Sequence, residues 1–166
     1  MAMALFISRT DLVKNTIIDG NLDTDKFIQF LKISQEIHIQ NYLGSKLYNR
    51  ISADVIAGTL TGDYLALVND YIQPMLIHYA MMDYLPFAAF SVKNGGVFKG
   101  NSETAQTATK DEVDFLVQKE RSFAEYYTRR FVDFICFDSA KFPEYTNNTE
   151  ADVYPEKSVQ YSNIVL

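Results

Sequence analysis

The segment from Asp63 to Leu85 constrains this chain more than any other part of it. Leu65, Val68, Ile72, Leu76 and Tyr79 recur there at spacings of three and four, the period of one helix face. It is the most apolar stretch of the sequence, so the helix it forms belongs at the centre of a bundle rather than on its surface. Pro74 falls inside it. A proline removes one backbone hydrogen bond and its ring meets the preceding turn, which predicts a kink or a break into two helices. Pro86 ends the pattern at Leu85.

The flanking segments read as further helices of the same bundle. Ser8–Arg9–Thr10–Asp11 supplies cap-type residues ahead of Leu12 and Val13, and a short helix through about Ile18 stops at Asp19–Gly20–Asn21. Asp25, Gln29, Lys32, Glu36 and Gln40 then form one narrow polar stripe, with Phe27, Phe30, Leu31, Ile33, Ile37 and Leu43 on the remaining circumference. That pattern predicts a helix buried on most sides. Gly44 is a natural stop, and Ser45 restarts a helix through Leu47, Tyr48, Ile51, Val55 and Ile56 that Gly58 closes.

Beyond Pro86, an Asn-Gly pair between short β-prone runs predicts a hairpin near residues 90–100, its turn at Asn94, Gly95 and Gly96. Gly95 is the position expected to need φ > 0. Residues 101–109 are polar and read as a loop. The last long helix starts at Asp111, where Val113, Leu116, Val117, Ala124, Tyr127, Phe131 and Phe134 recur at helical spacing. The fold class is therefore mainly α. A compact bundle of four to five helices with a small β-hairpin fills residues 1–138, and an extended C-terminal tail occupies residues 139–166.

Chemistry is sparse. With 166 residues, 48% of them hydrophobic and 22% charged, the chain is sized for one globular domain. A net charge of −6 argues against a protein that mainly binds nucleic acid, which needs clustered cations. Cys136 is the single cysteine, so no internal disulfide forms. Its setting in Phe134–Ile135–Cys136–Phe137 predicts an inert core thiol. His38 and His78 sit on separate helices without ligand spacing around them and are expected to be satisfied, half-buried histidines. No GxxxxGK[ST], GxGxxG or GxSxG pattern occurs. The expectation is a non-enzyme without cofactor or metal. No leader or membrane span is expected either, which fits assembly inside a cell.

The tail is unusual for an irregular segment, because such segments are poor in aromatic and aliphatic residues. Phe142 and Tyr145 could finish the bundle. Val153, Tyr154, Val159, Tyr161, Ile164, Val165 and Leu166 are expected to bind a partner chain, by strand addition or in a groove.

The run Ile39–Gln40–Asn41–Tyr42–Leu43–Gly44–Ser45–Lys46–Leu47–Tyr48, the proline-interrupted helix ending Tyr84–Leu85–Pro86, the turn Val92–Lys93–Asn94–Gly95–Gly96 and a last helix running into Phe142–Pro143–Glu144–Tyr145 occur in that order. Over residues 5–146 this resembles the head–tail connector (portal-adaptor ring) proteins of tailed bacteriophages, in particular those of crAss-like phages infecting Bacteroidetes. The resemblance implies a structural virion protein at the portal vertex, assembled in the host cytoplasm. It implies a homo-oligomeric ring of about twelve copies with a heterologous interface. The ring would contact the portal protein on one side and the next tail or ring protein on the other, and DNA would pass through its lumen without specific binding. A monomeric or dimeric helical adaptor that binds a partner helix is the alternative.

Overall fold

A π turn just before Pro74 divides the central segment into two α-helices, and the backbone stays helical across the junction. The computed structural model describes residues 4–16, 24–94, 96–99, 108–149 and 151–159. Helix α1 spans Arg9–Asn15, α2 Thr24–Ser34, α3 Gln40–Ala57, α4 Gly62–Leu67, α5 Gln73–Tyr84, α6 Lys110–Phe137 and α7 Pro143–Thr146. One π turn, Gln35–Ile39, joins α2 to α3, and a second, Val68–Ile72, joins α4 to α5. Pro74 occupies the first turn of α5, where its missing N–H has the least consequence. The wide π turn just before it absorbs the mismatch. The chain is thus a mainly helical compact bundle with one small hairpin.

Helix α5 is the axis. It packs against both α2 and α6, which touch each other little, and it buries Met75, Leu76, Ile77, Tyr79, Ala80, Met81 and Tyr84. Aromatic contacts fix the neighbours: Phe27 of α2 meets Tyr84 edge-on at 5.2 Å, and Phe134 of α6 stacks on Tyr71 at 4.2 Å. Two caps fix helix starts. Ser8 Oγ accepts from Asp11 N at the head of α1, and Thr109 forms a reciprocal capping box with Glu112 at the head of α6.

The hairpin pairs β1, Phe90–Lys93, with β2, Gly96–Lys99, antiparallel, with Val92 opposite Val97. The predicted break at Asp19–Gly20–Asn21 and the predicted loop over 101–107 lie outside the described residues, as does Gly95.

Three expectations need correction. The helix through α2 is not buried on most sides: Ile33 and Ile37 are 44% and 60% exposed, while Ser34 and Gln35 are fully buried. The π turn over Gln35–Ile39 departs from the 3.6 period, so a wheel drawn through it misplaces every later residue. Buried Gln35 is well used. Its Oε1 accepts from Phe6 N at 2.9 Å, and its Nε2 donates to Ala4 O at 2.7 Å and Tyr48 Oη at 3.0 Å, tying the N-terminal segment to the bundle. Second, Cys136 is exposed. Ile135 takes the inward position, and each further residue turns about 100° away from it, which leaves Phe137 89% exposed. Third, residues 139–146 are not extended. A 3₁₀ turn, Ser139–Lys141, leads into α7, and Phe142 and Tyr145 are 0% and 2% exposed in the core. The extended course starts at Asn147.

Candidate functional site

Gly44 breaks α3, at φ +73 and ψ 157, inside an otherwise continuous helix. A break of this kind frees a carbonyl on one side and amides on the other, and each needs a new partner. Residues 147–149 and 151–156 supply them as a strap laid across the gap. Ser45 N donates to Val153 O at 2.9 Å, and Glu156 N donates to Asn41 O at 2.9 Å. Lys46 N donates to Asn148 Oδ1 at 3.2 Å, and Val153 N donates to Ser45 Oγ at 3.0 Å. Ser45 Oγ in turn donates to Asp152 Oδ2 at 3.2 Å. The Lys46 ammonium donates to Asn147 O and Thr149 Oγ1 at 2.9 and 3.1 Å. The ring of Pro155 rests on Gly44 itself: a Cβ there would lie 2.6 Å from Pro155 Cγ. Glycine is required at position 44 twice over, for its dihedral angles and for the space.

This geometry corrects the tail expectation for residues 153–159. Val153 is half-buried on its own α3 and Val159 packs against the core, leaving Tyr154, 72% exposed, as the one described member of that set turned to solvent. Tyr161, Ile164, Val165 and Leu166 lie outside the described residues. Sequence periodicity had no means of pairing groups this far apart. The available signal was Gly44 as an interruption that left backbone groups to be satisfied somewhere.

Below the strap, α7 is pinned by its acidic residue. Glu144 accepts from the Tyr64 hydroxyl at 2.6 Å and from Arg50 Nη1 at 3.4 Å. Burial, reinforced by that hydrogen bond, pushes the Tyr64 phenol up to about 12.

The hairpin turn is solvent-exposed at Asn94 and Gly96, and Gly96 has φ +132. Exposed apolar residues cluster in three places: Ile33 and Ile37 beside the first π turn, Phe87, Phe90 and Val97 around the hairpin, and Phe115, Phe123, Tyr126 and Phe137 along α6. Nothing local in the sequence distinguishes the last two groups, because an apolar residue is expected in the core by default.

The histidines are both half-buried and both paired. His38 Nε2 lies 3.1 Å from Asp83 Oδ2 and its ring stacks on Tyr79 at 4.1 Å. Burial alone would raise the Asp83 carboxyl, but hydrogen bonds from His38 and Ser34 outweigh it and hold the group below its ordinary value. His78 Nδ1 lies 2.7 Å from Glu120 Oε2, at the edge of a groove lined by Asn15, Asn69, Gln73 and Tyr127. These pairs join α5 to its neighbours. Among the described residues no three His, Cys, Asp or Glu side chains converge to hold a metal, and no single helix is long and apolar enough to cross a membrane.

A family model described as a family of unknown function (DUF6712) matches residues 39–155, well over half of the chain. The matched stretch includes both sides of the Ser45–Val153 contact and the Gly44–Pro155 approach. No curated protein and no solved structure matches the chain.

Proposed function

The chain belongs to the DUF6712 family, and we propose that it is a structural ring subunit of a tailed-phage head–tail junction. In that role it joins the portal protein to the next tail or ring protein around a DNA channel. The observation that carries this reading is the presence of exposed apolar residues on several different elements. A closed ring needs a heterologous contact, in which one patch of each copy meets a different patch of the next. Ile33 and Ile37 on the α2 side and Phe90 and Val97 on the hairpin supply two such patches. Isolated exposed apolar residues are ordinary, but clustered ones on a small domain mark contact surfaces. The order of motifs over residues 5–146 supports the same reading, as does a net charge of −6, which suits a conduit that must release DNA.

The test is assembly. Purified chain, alone and mixed with a tailed-phage portal protein, is measured by native mass spectrometry and class-averaged electron micrographs. Closed rings of about twelve copies are the expected result. A chain that stays below ring size at high concentration and ignores the portal overturns the reading, and Ile37→Glu or Val97→Glu should each abolish ring closure while leaving helical content intact.

A further inference from the structure

The outward face of α6 carries a pattern that reads the same in both directions. Phe115, Tyr126 and Phe137 follow one another at intervals of eleven residues, three turns of helix with about 20° of drift, so they form one straight stripe. The stripe is about 33 Å long at 1.5 Å per residue. Its members are 60%, 60% and 89% exposed. Lys119 and Asp133 lie on the same face, each seven residues from Tyr126, one toward either end. Both are exposed; within the chain Lys119 sits over the Phe115 ring and Asp133 meets Arg129 at 3.8 Å across solvent-exposed side chains.

We propose that this face pairs with the same face of a second copy, antiparallel, about a two-fold axis at Tyr126. Turning α6 end over end about that residue lays Phe115 against Phe137 of the other copy at both ends of the stripe. It also sets Lys119 opposite Asp133 twice, so opposite charges meet on both sides of the central tyrosines. A face that is self-complementary in both shape and charge has an identical copy as its natural occupant, because an isologous contact places each residue i against j and each j against i. An unrelated partner would not require the acidic and basic positions to be equidistant from the centre. The contact closes on two copies and leaves the α2 side and the hairpin free. It describes the free subunit before assembly and stands independently of the ring reading.

The test uses the full chain in sedimentation-equilibrium and native-mass measurements. At concentrations below those at which rings close, the wild type should be a dimer, and Tyr126→Arg, which sets two cations against each other on the axis, should be a monomer with unchanged circular dichroism. Lys119→Asp and Asp133→Lys singly should each weaken the dimer about tenfold, by placing like charges opposite one another at two symmetric positions. The two changes together should recover wild-type affinity. A wild type that remains monomeric, a Tyr126→Arg variant that remains dimeric, or a double swap that fails to recover would each overturn the proposal. Recovery by the double swap is the decisive readout, since only a contact that sets position 119 of one copy against position 133 of the other restores it. Ring formation is scored separately on the same samples by electron microscopy, so loss of one assembly is not mistaken for loss of the other.

Discussion

Two helices of this bundle are interrupted, and they repair the interruption in opposite ways. At Pro74 the repair is local: a π turn over Val68–Ile72 delivers the chain to a new helix start, and the proline occupies a first turn that needs no N–H. At Gly44 the repair is remote. Backbone groups freed between Asn41 and Lys46 are satisfied by Asn148, Val153 and Glu156, over a hundred residues away in sequence. A local repair is a property of the helix alone. A remote one makes the helix depend on a segment that must be closed onto it, at an entropic cost.

The largest effect should come from Gly44→Val. A β-branched residue at φ +73 is strained, and its Cβ would overlap the Pro155 ring, so a loss of about 3–4 kcal/mol is expected in urea unfolding. Removing residues 147–166 should cost about 2 kcal/mol through several lost hydrogen bonds, with helical content by circular dichroism preserved. In that truncated chain Gly44→Ala should cost visibly less than in the full one, because Pro155 is gone; equal costs in both backgrounds would mean that the strap and the break are uncoupled. Ser45→Ala removes the hydroxyl that accepts from Val153 N and donates to Asp152. It should cost about 1 kcal/mol, and less once the strap is deleted, where only the bond from Gln40 Nε2 to Ser45 Oγ at 3.2 Å is left to lose.

The alkaline limb offers a different probe of the strapped side. The Tyr64 phenol rises from 10.0 to about 12 in the folded chain, so the fold holds its proton more tightly than the unfolded chain does. That stabilisation is complete below pH 10, the unfolded value, and is lost as pH rises toward 12. Amide exchange over α7 should therefore accelerate in that window before exchange over α5 does, and Tyr64→Phe should reduce the difference, leaving the share of Tyr145 on α7, whose phenol burial also raises. Pro74→Ala is expected to change least, within about 0.5 kcal/mol, because the regained N–H falls where a first helical turn does not use it. A loss above 2 kcal/mol would show that the π turn depends on the proline and that the two repairs differ less than they appear to on geometry.

The elements themselves were legible because their signals are local. Ser8 and the Asn-Gly turn marked starts and reversals through hydrogen bonds within a few residues, and the period of α5 placed it at the centre. Burial was less legible, since periodicity says which residues share a face but not which face finds a neighbour. Ile33, Ile37 and Phe137 carry the same apolar signal as Leu31 and Phe131, yet only the latter two meet the core. Cys136 was misplaced for this reason, and the α6 stripe was overlooked for it.

By itself, the sequence determined a helical bundle around a proline-interrupted axis, a hairpin after Pro86 and a stop at Gly44, because each rests on dihedral preferences and hydrogen bonds spanning a few residues. Tertiary structure decided that Phe142 and Tyr145 close the core and that residues 147–149 and 151–156 seal the Gly44 break. It also decided that one aromatic face of α6 is left to solvent. Those outcomes depend on which surfaces the folded chain brings together, and a one-dimensional pattern carries no distance between residues a hundred positions apart.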